Sequence, residues 1–130
     1  MIVVDASAVV DVLLRTPDST RIADRFFASG ETLHAPHLLD LEVVQALRRH
    51  ISAGVLHARR GREALEDFAA FPLTRYPHDV FLARIWELRA NLTAYDAAYI
   101  ALAEALAVPL VTRDRALASV RRHHATIELL

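Results

Sequence analysis

Short apolar runs without helical spacing alternate along this chain with longer stretches whose apolar positions recur every three or four residues. Ile2-Val3-Val4 is three β-branched residues in a row, the pattern of a strand buried on both faces inside a parallel sheet. From Ser7 to Leu14 the spacing is helical, with Val9, Val10, Leu13 and Leu14 on one side and Ser7 suited to the N-cap. Thr16-Pro17-Asp18 reads as a turn. A helix then runs from Ser19 to about Ala28, burying Ile22, Ala23, Phe26 and Phe27 and ending at Ser29-Gly30. Thr32 to Ala35 is a short second strand.

Pro36 fits the first turn of a long helix reaching about Ala53, with the stripe Leu39, Val43, Leu47 and Ile51, and Glu42 on its border. His57 to Ala70 is a further helix with Leu65, Phe68, Ala69 and Phe71 inward. Pro72 to Tyr76 is a brief strand, placed at a sheet edge by its proline. Asp79 to Asn91 is helical through Val80, Leu82, Ala83, Ile85, Trp86 and Leu88. Thr93 caps the helix Ala94 to Ala107, which is apolar almost all round and so belongs in the middle of the fold. Pro109 to Thr112 is a third strong strand, Asp114 to about Arg122 a last helix, and Thr126 to Leu129 a final strand. Strands alternating with helices predict an α/β protein: three layers, α/β/α, around a mainly parallel central sheet.

The 130 residues suffice for one domain with a real core, spanning 1–130. At 54% hydrophobic residues, global disorder is excluded. No apolar run approaches the roughly 20 residues of a membrane helix, and the first residues lack the basic-then-apolar pattern of a secretory leader. Cysteine is absent, which removes disulfides, thiolate metal sites and cysteine nucleophiles and makes a cytoplasmic location the expectation.

The chemistry is carried by carboxylates. Asp5 directly follows the first buried strand, and open α/β sheets bind ligands at the carboxyl ends of their strands. Asp114 follows the Leu110-Val111-Thr112 strand by two residues. Glu42 lies about two turns into the helix that leaves the second strand. Asp96 opens the helix that feeds the Leu110 strand, and in a parallel unit that helix start lies at the same edge. Each has a plain alternative: Asp114 as an N-cap, Asp96 favouring a helix N-terminus, Glu42 solvated on its helix. Asp5 has none as simple. Clustered carboxylates raise one another's pKa unless a cation is present, and hard oxygen ligands without His or Cys suit Mg²⁺ or Mn²⁺. Ser7 and Thr112 are near enough in sequence to Asp5 and Asp114 to orient ligands or water around them, or to serve as turn and capping residues.

Charge adds a little. All fifteen basic residues are arginine, and the formal net charge is −1. Setting the four candidate acids aside leaves fifteen positive charges against twelve negative, a mildly basic surface suited to a phosphodiester. Arg59, Arg60 and Arg62 could contact phosphates or simply be a solvated helix face. The seven histidines form no metal-binding frame. Tyr95, Tyr99 and Trp86 read as core, and Leu13, Leu14, Ile22 and Phe26 as more apolar surface than one small core needs, a candidate partner face.

Ile2-Val3-Val4-Asp5-Ala6-Ser7, Leu41-Glu42-Val43, Tyr95-Asp96-Ala97-Ala98 and Val111-Thr112-Arg113-Asp114, in this order and spacing, resemble the PIN-domain nucleases, and in particular the VapC toxins of type II toxin–antitoxin modules. The resemblance covers essentially the whole chain. It implies a PIN-like fold, a Mg²⁺- or Mn²⁺-dependent endoribonuclease, an RNA substrate, inhibition by a VapB-like antitoxin and a homodimer. By position it assigns Asp5, Glu42, Asp96 and Asp114 as the acidic set, with Asp5, Asp96 and Asp114 the expected metal contacts. Some relatives carry a further acid shortly after the fourth; here Leu117 is at that spacing.

Two other functions compete. A catalytically inactive PIN-like module would only bind RNA or protein. A phosphoacceptor module would use an aspartate after a strand, but such modules need paired acids near strand one and a late lysine, and this chain has no lysine.

Overall fold

The computed structural model describes residues 1–130. Strand β1 (Ile2–Val4) is buried on both faces, as three consecutive β-branched residues require. Strands β2 (Leu33–Pro36) and β4 (Leu110–Thr112) flank it, with β3 (Leu73–Tyr76) and β5 (Ile127–Leu129) at the edges, giving the order β3-β2-β1-β4-β5. All four pairings are parallel, so the sheet has a single carboxyl end. Val3 pairs with His34 on one side and Leu110 on the other.

The chain steps outward from β1 to β3 through α1 (Ala6–Leu14), α2 (Ser19–Phe26), α3 (Leu38–Ser52) and α4 (Ala58–Ala69). It then crosses back over the sheet to β4 through a 3₁₀ turn (Asp79–Phe81), α5 (Leu82–Glu87) and α6 (Ala94–Leu106), and continues by α7 (Arg115–Ser119) to β5. Right-handed crossovers in opposite directions put the two helix sets on opposite faces. Accordingly α1 packs with α2, α3 and α4, whereas α5 packs with α6, and α6 lies across β1, β2 and β4. The direction reverses between β1 and β4. The crevice at their carboxyl ends is therefore the topological switch point, where such sheets hold ligands.

The core holds β1 and β4, the buried run Ala97–Ala103 of α6, and the packed faces of α1 to α3. Leu13, Ile22 and Phe26 belong to this core, so the partner face expected there is absent; Leu14 is half-buried. In α4 the buried positions are Gly61, Ala64 and Phe68, and Leu65 and Ala69 face outward. Gly61 is required by packing: a Cβ there would meet the Ile51 side chain at 2.8 Å. The helix expected from Asp79 to Asn91 is broken into a 3₁₀ turn and six α-helical residues. It buries Ile85 and Leu88 and leaves Val80, Leu82 and Trp86 outside. Trp86, 67% exposed, covers its ring with the Arg89 guanidinium instead. Pro36 ends β2 opposite Tyr76 rather than opening α3. The last helix stops at Ser119, because Val120 is already extended.

Candidate functional site

Asp5 takes the N-cap position of α1, where Ser7 was expected, and its carboxylate accepts from the Ala8 amide at 3.1 Å. Burial alone would drive this group to its neutral form and does push its pKa up. Two hydroxyls oppose that. Ser7 Oγ donates to Oδ1 at 2.7 Å and Thr112 Oγ1 donates to Oδ2 at 2.5 Å. Each hydroxyl is itself oriented by the loop after β4: the Arg113 amide donates to Ser7 Oγ and the Asp114 amide to Thr112 Oγ1. With a lone pair of each hydroxyl occupied, its proton points at Asp5.

Asp114 caps α7, accepting from the amides of Ala116 and Leu117 through Oδ1; Oδ2 accepts nothing from the chain. Capping and a place in the crevice are thus the same position. Asp96 lies in the first turn of α6, where Thr93 caps its amide, and its carboxylate receives no hydrogen bond. Burial raises its pKa, the Asp114 charge raises it further, and the nearby Thr93 hydroxyl works against both. Glu42 accepts from the Tyr99 hydroxyl at 2.6 Å through Oε2, leaving Oε1 free. Burial lifts the Glu42 pKa, the Tyr99 hydrogen bond counters it, the Asp5 and Asp96 charges add to it, and the Arg49 charge opposes them. Tyr99 is 1% exposed; burial and then the Glu42 charge push its phenol far above its ordinary value, so it remains a donor.

All four carboxylates line one cleft of about 930 Å³, walled by α1 and α3 and also bordered by Asp11, Gln45, Arg49, His50, Tyr95, Tyr99 and Arg113. Asp11 is neutralised by Arg113 at 2.9 Å. As placed, no three acidic or imidazole groups stand close enough to ligate one ion. The like charges line a common space without closing on a common point, as mutual repulsion dictates. Ser7 and Thr112 both touch Asp5. Arg59, Arg60 and Arg62 do not line the cleft: Arg59 pairs with Glu63 on α4's exposed side, and Arg60 donates to the Leu13 carbonyl at the end of α1.

A family model described as PIN domain matches residues 2–123. The chain belongs to the PIN-domain family. Ribonuclease VapC12 of Mycobacterium tuberculosis is 42% identical over 130 residues, covering all of this chain and 99% of that protein. VapC ribonuclease Mb0985 of Mycobacterium bovis is 47% identical over 114 residues, covering 88% of this chain and 86% of the relative. In fold, the PIN domain here is similar to VapBC2 from Rickettsia felis, solved bound to a DNA fragment from their promoter. The TM-score is 0.72 at 16% identity, with 100% of this chain and 99% of that one covered.

A PIN domain implies a divalent cation, and the donors present fit one. Five carboxylate oxygens (both of Asp96, Oδ2 of Asp114, Oε1 of Glu42 and Oδ2 of Asp5, which keeps a lone pair beside its Thr112 bond) are hard, anionic and largely unspent on the protein. Two contributors to this PIN-domain cleft were not marked as such by the sequence. Tyr99 reads as core, and it is; the signal was its position three residues after Asp96 on one helix, which puts its hydroxyl beside the same crevice. Arg49 falls seven residues after Glu42, hence on the same face of α3. Tyr95, expected inside, is 66% exposed at the cleft's rim.

Proposed function

We propose that this PIN domain is a Mg²⁺- or Mn²⁺-dependent endoribonuclease and the toxin of a toxin–antitoxin pair, hydrolysing RNA phosphodiester bonds at the α1/α3 cleft. The observation that carries the reading is the mismatch of charge: four carboxylates with unspent oxygens share one crevice whose only unpaired guanidinium is Arg49. A fold keeps such repulsion where a cation and a phosphate complete the site.

Asp5, Asp96 and Asp114 would hold the ion. When bound, it neutralises charge on the phosphate and lowers the pKa of coordinated water. Ser7 and Thr112 fix both oxygens of Asp5, so this ligand needs no reorganisation. Glu42, held through Oε2 by Tyr99, keeps Oε1 for a hydrogen bond to the attacking water and for its proton. The VapC names of the relatives and the VapBC2 neighbour support a VapB-like antitoxin as the protein partner; a homodimer acting on cytoplasmic RNA completes the proposal. No helix is long and apolar enough to cross a membrane.

The test is cleavage of structured tRNA and rRNA fragments with Mg²⁺ or Mn²⁺, an EDTA control and the Asp96→Asn variant. Cleavage that needs the metal and Asp96 supports the reading. Metal-independent cleavage, or undiminished activity in a folded Asp96→Asn protein, sinks it.

A further inference from the structure

Glu42, Gln45 and Arg49 stand at i, i+3 and i+7 on α3, and all three line the cleft. Seven residues return a helix to within about 20° of its starting direction and about 10 Å further along its axis. Gln45 and Ala46 on α3 and Val10 and Leu14 on α1 line the same cleft, and its Asp11 is already paired with Arg113.

The two arginines of the cleft are employed differently. Arg113 spends Nε on Asp11, Nη1 on the Leu130 carbonyl and Nη2 on Asp18. Its charge is consumed in holding α1, the turn after it and the C-terminal residue together. Arg49 is exposed and its guanidinium makes no hydrogen bond or ion pair with the chain. It is an unspent cation in register with the carboxylates and a nucleotide or two away from them. The α4 arginines offer no equivalent, because none lines the cleft and two are engaged, Arg59 with Glu63 and Arg60 with Leu13 and Glu63.

We propose that Arg49 grips a backbone phosphate flanking the cleaved bond, so that the RNA strand runs along α3 between α3 and α1, and not over α4. This rests on the ribonuclease reading above and adds the path of the substrate to it. A phosphate contact carries no base preference, so Arg49 sets register on the strand and not sequence.

The experiment compares wild type, Arg49→Gln, Arg49→Lys and the double variant Arg59→Gln/Arg62→Gln in initial-rate cleavage of single-stranded RNA with Mg²⁺, from 50 to 200 mM salt. Binding of the same RNA to each in an Asp96→Asn background is followed by anisotropy. For Arg49→Gln we expect KM to rise about tenfold with kcat within about twofold, as loss of uniform binding requires. Its slope of log affinity against log salt should be shallower by about 0.7, one single-strand phosphate. Arg49→Lys should keep the wild-type slope, and the α4 double variant should stay within about twofold of wild type. Parallel salt slopes for wild type and Arg49→Gln would overturn the proposal. So would a lost kcat at unchanged KM, which would assign Arg49 to the charge balance of Glu42, or slope loss in the α4 variant instead. Wild-type protein that neither binds nor cuts RNA removes the ribonuclease reading itself, a result distinguishable from all of these.

Discussion

The carboxylates at the two ends of the sheet shift in opposite directions, because their neighbours differ. At the amino end of β1 and β2, Glu31 accepts from the chain's own amino group at Met1 and from Arg25 at 2.6 Å, and Arg25 reaches on to Glu128 at 2.8 Å. There the hydrogen bonds from the amino group and Arg25 bring Glu31 down to about 2. At the carboxyl end, Asp5, Glu42 and Asp96 are all raised, by burial first, with the Asp114 charge adding at Asp5 and Asp96 and the Asp5 and Asp96 charges adding at Glu42. The first cluster is complete within the chain. The second is complete only with something added. The contrast separates a structural ion network from a site more sharply than any single residue does.

The largest effect belongs to Asp96→Asn: RNA cleavage should fall by about 10²–10³-fold or more. The same variant should melt higher than wild type in EDTA. A raised folded pKa favours folding at low pH and loses that contribution as pH rises through it, so at neutral pH the ionised group costs stability that the amide does not. A melting midpoint several degrees lower would contradict the comparison. Thr112→Val, which strips a buried hydroxyl from Asp5 and the Asp114 amide, should cost about 1–3 kcal/mol in urea unfolding.

Tyr99→Phe should lower kcat about tenfold, or about 1.4 kcal/mol, with KM little changed, since it frees Glu42 without emptying the core. An unaltered kcat would leave the hydroxyl a packing detail. The smallest effect is at the other cluster. Glu31→Gln should cost about 1 kcal/mol at pH 7. A depressed carboxylate contributes stability above its unfolded pKa and loses it as pH falls through the folded one. Wild type should therefore weaken between about pH 4.5 and about 2, and the variant should show less of that acid limb in pH-dependent urea midpoints.

The layered architecture was legible because β1 and β4 announce themselves by unbroken β-branched and aliphatic runs, and α6 by being apolar all round. The four acids were legible through topology, each sitting next to a strand end or helix start. What failed was the reading of facing. Val80, Leu82 and Trp86 look like core in one dimension, but the segment is too short and too broken to turn them inward. Phe26 and Ile22 looked surplus, but α2 packs them against α1, and Phe71, far off in sequence, covers Phe26. Side-chain pairs such as Tyr99 with Glu42, or Arg113 with Asp18, join residues from separate elements, and no periodicity along one element can show them.

The wiring around Asp5 has a practical corollary. Two successive amides after β4 force the Ser7 and Thr112 protons to point one way, so the assembly has a polarity and tolerates only an acceptor at its centre. An amide side chain at position 5 would present a donor to one of these donors and strand a proton, a mismatch relayed outward to residues 113 and 114. Position 96, whose carboxylate lacks any such network, is the place to silence this protein quietly; position 5 is where the same one-atom exchange would also disturb the scaffold.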